Sequence, residues 1–319
     1  YSEEIPVISV GKKGSTTTSA NILYDILRKL LAGSKVALSL KNENKLQLIS
    51  GNSKFNLLCI TPDNFPLSNE NFEASTFKIN SKNLLKLLNK TKIAISNDET
   101  RHYLNGIFLH KSTLQNQTFL TAVSTDSHRL SHSSVQMNSD IDFEPSILPK
   151  KTVFQLIPLL ENNTSEVEIS SNKSKIKFIN NNSFLISKVI DGKFPDYKKV
   201  VPQNNEKVLE ANLSDFKNSI ERVTSVSADR KEGVKMFLTK DNLQLSVNSP
   251  NSGEGTENIK AKYNADQMII SFNSRYLIDI ASQIEGNNII INLKNPGSPA
   301  LIKDLSDKNS FHVIMPMKI

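Results

Sequence analysis

The sequence predicts an α+β protein made of three similar domains, each with two helices packed on antiparallel sheets. Three observations lead there. One design, an amphipathic helix followed by a short polar turn and then strands, recurs three times along the 319 residues. Two landmarks of that design, Phe65-Pro66 with Phe194-Pro195 and Leu30-Leu31 with Leu159-Leu160, repeat at a single offset of 129 residues. Every helix is also separated from the next by two or more strands with polar turns such as Lys240-Asp241-Asn242. That order favours antiparallel meanders with helices confined to one face over parallel βαβ winding. Solenoid repeats run roughly 20–50 residues, so a period of about 120 denotes repeated domains.

The first copy has its helix over Asn21 to Leu31 and strands at Val36–Leu40 and Lys54–Ile60, ending at Phe65-Pro66. The second has a helix over Thr152–Leu160 and strands at Val167–Ile169 and Ser183–Val189, ending at Phe194-Pro195. A looser third copy runs from Tyr276–Ile280 through Asn288–Leu293 to Phe311–Pro316. The second and third are each preceded by another such unit. Asn80–Leu88 begins with Ser81 as its expected N-cap and carries apolar residues at helical spacing, and Asn212–Val223 does the same. Glycine-containing strands follow, Leu104–Leu109 and Glu232–Leu238, with partner strands Phe119–Ser124 and Leu243–Val247. The expected domains are therefore 1–72, 73–200 and 201–319, each of two half-units. Tyr1 opens the chain without a methionine and in strand-like residues, so the first domain is expected to be truncated at its N-terminus, with its C-terminal half only.

Hydrophobic residues at 38% and charged residues at 22% describe an ordinary globular composition, and no apolar run approaches the roughly 20 residues that span a bilayer. No secretory signal is visible. The single cysteine, Cys59, lies in an apolar strand, which excludes a disulfide within the chain and a multi-cysteine metal site and points to a cytoplasmic setting. The formal charge of +7 suits a polyanionic partner, though Lys and Asn are abundant everywhere. The helices would share one surface whose outward residues are repeatedly basic: Arg28, Lys29, Lys82, Lys86, Lys90, Lys92, Lys150, Lys151, Lys217, Arg222 and Arg275. Solvated helix faces are commonly charged, but recurrence in three domains favours a shared purpose.

Catalytic constellations are scarce. His102, His110, His128, His132 and His312 are too scattered for a metal-ligand pattern, and there is neither a Walker-type loop nor a Gly-x-Ser-x-Gly elbow. Asn251-Ser252-Gly253-Glu254-Gly255 reads as a loop. Asp126, Asp191 and Asp196 have no second carboxylate at a useful spacing, whereas a metal-dependent nuclease or polymerase needs several converging on its metals. No cofactor or metal is expected. Ser124-Thr125-Asp126-Ser127-His128-Arg129-Leu130 mixes triad residue types, but adjacency does not supply triad geometry, and the string reads as a tight turn. Asp191 to Pro202 reads as a linker with an aromatic anchor.

Taken together, these strings resemble one family, the bacterial sliding clamps, the β subunit of DNA polymerase III. Thr125-Asp126-Ser127-His128-Arg129-Leu130 is similar to that family's Thr-Asp-Gly-His-Arg-Leu, and Asp191-Gly192-Lys193-Phe194-Pro195-Asp196-Tyr197 to its Asp-Gly-Arg-Phe-Pro-Asp-Tyr. Val313-Ile314-Met315-Pro316-Met317-Lys318-Ile319 resembles its Val-Val-Met-Pro-Met-Arg-Leu ending, and Arg101-His102-Tyr103-Leu104-Asn105-Gly106 its Arg-Tyr-Tyr-Leu-Asn-Gly. Order and spacing agree along essentially the whole chain.

The resemblance implies a DNA clamp fold. Three-domain crescents join head to tail as a homodimer ring, with helices lining the hole. It further implies a non-catalytic processivity factor that encircles duplex DNA and tethers the replicative DNA polymerase. The polymerase, clamp loader and repair proteins would dock short peptide motifs between the second and third domains. Carried over by motif, that pocket is Leu104, Thr125, Ser127, His128, Arg129, Leu130, Pro195, Lys199, Val200, Val313, Met315, Pro316 and Met317. A cleft of Leu, Val, Pro and adaptable Met suits several related peptides. Ser127 stands where the family has glycine and Lys199 where it has arginine, which removes a bidentate fork. DNA would meet His102, Tyr103, Lys150, Lys151, Asn273, Arg275 and Tyr276 through phosphate and sugar, because tight base readout would halt sliding. Ring closure would pair edge strands of the first and third domains, with Lys54, Glu254 and Glu257 as interface charges and Ile220 and Val226 as apolar contacts. Two other readings stand beside the clamp, a peptide-binding adaptor that does not encircle DNA and a nuclease using Asp126 and His128.

Overall fold

The computed structural model describes residues 1–65, 72–138, 141, 143–161, 165–227 and 233–318. Pro66, Glu232 and Ile319 lie outside them. Two compact units are present, one of Glu4–Phe72 and one of Tyr1–Glu3 with Glu73–Ile319.

In the Glu4–Phe72 unit, helix α1 (Ala20–Leu27) follows a short strand, Thr17–Thr18, and precedes strands Ala37–Asn42, Lys45–Ser50 and Ser53–Ile60. Ser19 caps α1 by accepting the Ile22 N–H. Its core is small: Leu46, Leu57 and Cys59, with Leu23, Ile26 and Phe55 packed against them. The Leu30-Leu31 landmark falls beyond the helix, and Leu31 is 84% exposed.

The larger unit repeats one motif four times: a strand, a helix, then three antiparallel strands. Strand Ser75–Asn80 leads into α2 (Ser81–Lys92), and strand Ser146–Pro149 into α3 (Lys150–Glu161). Strand Lys207–Asn212 leads into α4 (Leu213–Val223), and strand Met268–Asn273 into α5 (Ser274–Ala281). The cap of α2 is Asn80 and not Ser81; its side chain accepts the Lys82 N–H at 2.9 Å. Asn212 and Asn273 cap α4 and α5 in the same way, so an Asn at the strand-to-helix junction is the repeated device.

Where the sequence predicted two strands after the first and second helices, the structure has three. Lys45–Ser50 and Lys175–Asn180 are the missed middle strands. Burial alternates in Lys175–Asn180, with Ile176 and Phe178 buried, whereas Lys45–Ser50 buries Leu46, Gln47 and Leu48 in succession. The expected strand Leu104–Leu109 begins only at Gly106, because Glu99–Leu104 winds into a 3-10 turn capped by Asp98. Thr100 and Arg101 hydrogen bonds hold the Asp98 carboxyl down to about 2. The 251–255 loop is shorter than expected: Asn251 and Ser252 form the turn and Gly253–Tyr263 is a strand, in which Gly255 passes the end of α4, where an added Cβ would lie 2.9 Å from the Val223 carbonyl oxygen.

Two sheets serve this unit. One orders Ser2–Glu3, Ser183–Lys188, Lys175–Asn180, Glu166–Ser171 and Ser75–Asn80. The other has twelve strands and is continuous from Ser146–Pro149 to Met268–Asn273. One core lies among residues 77–185 beneath α2 and α3, and another among residues 209–314 beneath α4 and α5. Leu84, Leu87 and Leu88 of α2 are fully buried, each stabilising by about 1.5–3 kcal/mol. No helix of the described residues is long and apolar enough to cross a membrane.

The seam between these cores is a strand pair. Arg129–Gln136 runs antiparallel to Asp307–Ile314, with Leu130 opposite Val313 and Ser131 opposite His312. A third cluster, including Leu104, Leu130, Phe194, Tyr197 and Val313, fills the space beside it. Phe194 stacks on Phe108 at 4.8 Å, Tyr197 hydrogen bonds His110 Nε2 at 3.0 Å, and His132 stacks on Phe311 at 4.4 Å. On the helix side, Lys86 pairs with Asp307 at 2.9 Å and Lys90 with Glu285 at 2.8 Å. The seam is thus closed by backbone, aromatic and ionic contacts together.

Candidate functional site

The 125–130 turn is built by its own side chains. Asp126 Oδ1 accepts the N–H groups of His128 and Arg129, both at 3.0 Å, and Thr125 Oγ1 donates to the Arg129 carbonyl at 2.7 Å. Ser127 sits at φ 76°, a left-handed conformation that glycine adopts without cost, and its hydroxyl accepts from Arg101. Asp126 Oδ2 takes the Arg129 Nε at 3.0 Å. With both oxygens of Asp126 engaged in the turn and its Arg, the Asp126-His128 string is a turn motif.

Arg129 then crosses the seam. Its Nη1 donates to Asp279 on α5 at 2.7 Å, and its guanidinium lies 4.1 Å over the Tyr276 ring. Burial, with Asp126 nearby, raises the Tyr276 phenol above its ordinary pKa. Arg129, expected in the peptide pocket, and Tyr276, expected to face DNA, are therefore packed on each other.

The C-terminal tail borders the same turn. Met315 N–H donates to the His128 carbonyl and Met317 N–H to the Ser271 carbonyl, both at 2.8 Å. Met317 also covers Gly233, its sulfur 3.2 Å from where a Cβ would stand. Leu104, Leu130 and Val313 are buried in the seam cluster, so they form its interior, whereas His128, Pro195, Val200, Met315 and Met317 are exposed. Pro316 is half-buried. Lys199 is exposed and 3.4 Å from Asp196.

The residues expected at DNA lie on separate elements. His102 Nε2 hydrogen bonds the Asp191 carbonyl at 3.1 Å, and its ring meets Tyr103 edge-on at 5.9 Å. Lys150 opens α3, donates to Asn97 and lies 6.0 Å from the Phe154 ring centroid; Lys151 beside it is exposed, as is Arg275. Asn273 spends its side-chain oxygen on capping α5.

The chain is similar to known proteins over nearly its whole length. Its residues 2–69, 78–196 and 198–318 match, in turn, the N-terminal, central and C-terminal domain models of the DNA polymerase III beta subunit. The beta sliding clamp of Caulobacter vibrioides is 33% identical over 308 residues, spanning 96% of this chain and 83% of that protein. The chain belongs to the bacterial beta sliding clamps. The Escherichia coli K12 clamp is 27% identical, with 99% of this chain and 85% of that one covered. The sliding clamp of Bartonella birtlesii, solved bound to griselimycin, superposes with a TM-score of 0.92 at 36% identity, covering 98% of this chain and 84% of that one.

As a sliding clamp, the protein is a non-catalytic processivity subunit of the DNA polymerase III holoenzyme. Of the expected clamp interface residues, Lys54 and Glu254 are exposed. Ile220 is not at the surface: it is fully buried in the core under α4, because helical spacing turns it inward with Phe216 and Val223. Val226 is half-buried against that same core. Glu257 pairs with Arg222 at 2.5 Å and accepts from Ser219, and the Arg222 bonds hold its carboxyl below the usual range. Sequence reasoning gave no role to Asp279 or to the ring cluster of His110, His132, Tyr197 and Phe311, and it read Lys90 as an outward basic residue without its partner Glu285. Nothing local marks these residues, since their partners lie on distant strands.

Proposed function

We propose that this clamp encircles duplex DNA as a head-to-tail homodimer and captures partner peptides at the seam between its second and third domains, taken as 73–200 and 201–319. One observation carries the peptide site. The Leu130 to Val313 register sets the 125–130 turn beside the 315–317 tail, with one backbone bond, Met315 N–H to His128 carbonyl, joining them. Exposed Pro195, Val200, Met315 and Met317 then supply an apolar, adaptable rim over an interior of Leu104, Leu130 and Val313. Thr125, Ser127, His128, Arg129, Lys199 and Pro316 complete it. Its ligands are short linear motifs of the replicative polymerase, the clamp loader and repair proteins.

DNA contact runs through phosphate and sugar at His102, Tyr103, Lys150, Lys151, Arg275 and the neighbourhood of Asn273 and Tyr276. Two open strand edges favour ring closure. Ser53–Ile60 is bordered by Thr17–Thr18 only at Cys59 and Ile60, and Gly253–Tyr263 by Lys207–Asn212 only at Ala261 to Tyr263. Exposed Lys54 lies on the first and exposed Glu254 on the second, a complementary pair for strand addition between two copies. A replication role places the protein in the cytoplasm.

Encirclement holds the polymerase at high effective concentration on its template. The test is retention, after loading by a clamp loader, on circular plasmid and its loss on linearisation, with solution mass measured in parallel. A dimer that slides off linear DNA is expected. Equal retention on both forms, or none on either, defeats encirclement and leaves a peptide-binding adaptor.

A further inference from the structure

The stretch that leads into the third domain alternates between buried and exposed residues. Phe194 and Tyr197 are buried, while Pro195, Asp196 and Lys198 to Val200 are exposed. Pro195, Lys199 and Val200 belong to the rim assigned above to partner peptides. The 3-10 turn that carries two of them, Tyr197–Val200, has little to hold it locally. Asp196 makes no side-chain cap, and the backbone bond from Lys199 N–H to the Asp196 carbonyl is 3.2 Å long. The Lys199 to Asp196 ion pair is exposed on both sides, and such pairs contribute little.

What holds the turn is a group of rings behind it. Phe194 stacks on Phe108 at 4.8 Å with the planes 6° apart, and Phe108 stacks in turn on His110 at 4.9 Å. His110 Nδ1 lies 2.9 Å from the Lys111 carbonyl, which can only accept, so Nδ1 carries the proton and Nε2 accepts the Tyr197 hydroxyl at 3.0 Å. Burial supports both roles, lowering the His110 pKa so that the ring stays neutral and raising the Tyr197 phenol to about 12. From the other side the His132 ring stands 5.9 Å from Tyr197 and stacks on Phe311 of the Asp307–Ile314 strand. At 7% exposure Tyr197 offers a docked peptide almost no surface of its own. It acts by setting where the turn stands.

We propose that Tyr197, held by His110, is the positioning residue of the peptide site: it locks the 195–200 turn in the conformation that presents Pro195, Lys199 and Val200 to a partner motif. The inference rests on the peptide-docking reading. A turn whose ring has left its socket must return before it binds, so the apparent dissociation constant rises by the reciprocal of the docked fraction.

The probe is a fluorescein-labelled synthetic peptide carrying the clamp-binding motif of the replicative polymerase, and its binding is followed by anisotropy well below the melting temperature of each protein. Tyr197→Leu, Tyr197→Phe and Val200→Ala are compared with Phe216→Leu, which removes a ring from the core under α4. Tyr197→Leu should weaken binding about tenfold, and Tyr197→Phe, which keeps the ring without its hydroxyl, about two- to threefold. Phe216→Leu should melt earlier yet bind as wild type does. Because Tyr197 acts through the turn, its effect should shrink in a Val200→Ala background, so that the double variant falls short of the product of the two single losses. Should Tyr197→Leu fail to fold, Tyr197→Phe and its cycle with Val200→Ala decide the matter. The positioning role is overturned if wild type binds the peptide and the folded Tyr197 variants bind it equally well, or if the Tyr197 and Val200 losses simply multiply. If wild type itself does not bind, the peptide reading falls instead.

Discussion

Arg129 and Asp279, 150 residues apart, meet at 2.7 Å across the seam, and the same guanidinium binds Asp126 and covers Tyr276. Its side chain is 9% exposed, so removing it strands two carboxylates beside a desolvated site. Breaking a buried pair costs about 3–5 kcal/mol, and the partial exposure of Asp279 lowers the expectation for Arg129→Ala to about 2–3 kcal/mol. Arg129→Lys should recover less than half of that, lacking the planar fork and stacking face. Urea denaturation measures both. A wild-type midpoint in Arg129→Ala would refute the latch.

Ser127 holds φ 76° where the clamp family's pattern has glycine. A left-handed conformation costs a side-chain residue about 1 kcal/mol, and the exposed hydroxyl bond from Arg101 returns part of it. Ser127→Gly should therefore be as stable as wild type or more stable by up to about 1 kcal/mol. Ser127→Ala keeps the strain, loses the bond, and should be the least stable of the three. Thermal melts of the three proteins give the order, and Ser127→Ala melting above Ser127→Gly would contradict it.

Much of this architecture was legible because it rests on local pattern. Helical spacing located α2 to α5, and alternation located most strands. The middle strand Lys175–Asn180 was left unassigned, because its place is set by pairing with Glu166–Ser171 and Ser183–Lys188 on either side. The 125–130 turn was readable from its Asx chemistry. Its use was not, since Asp279 and Tyr276 reach Arg129 only through the fold. The basic face was overread for the same reason: Lys86, Lys90 and Arg222 look solvated in sequence yet are spent on Asp307, Glu285 and Glu257. Ile220 shows the converse, an apolar residue assigned to a surface that the helix turns into the core.

Gly106 opens the strand after the 3-10 turn and pairs with Pro149, just ahead of α3. A Cβ there would overlap the Leu148 carbonyl oxygen and lie 2.9 Å from its carbon. Backbone cannot swing aside as a side chain can, so Gly106→Ala must part the Gly106–Leu114 and Ser146–Pro149 strands. The expected loss is about 3 kcal/mol or more, read as a lower melting temperature and reduced soluble yield. Because α3 starts at Lys150, weaker DNA binding should accompany it. A variant with unchanged melting would mean that the strands separate there at no cost.

Burial holds His132 down to about 4 and His312 to about 3, and the neighbouring cations Lys198 and Lys90 push in the same direction. Both rings lie in the seam, His132 stacked on Phe311 and His312 hydrogen bonded to Ser131 at 2.9 Å. In the unfolded chain they would titrate near 6.5. Above that value both states are neutral and nothing is lost. Below it the unfolded chain takes up protons that the folded seam refuses, so stability falls until pH reaches the depressed folded values. Each group contributes up to about 1.4 kcal/mol per pH unit, giving a loss on the order of 4 kcal/mol between pH 6.5 and 5. Asp304 and Asp307, whose folded values are also lowered, add their own loss only near and below about 4, the unfolded carboxylate value, and so do not mask the histidines at pH 5. Urea midpoints should drop markedly from pH 7 to pH 5. His132→Phe keeps a ring against Phe311 but cannot titrate, and should remove a substantial part of the drop, with His312 and His110, which burial also lowers, supplying the rest. Equal midpoints at the two pH values would show that the seam accepts charged histidine.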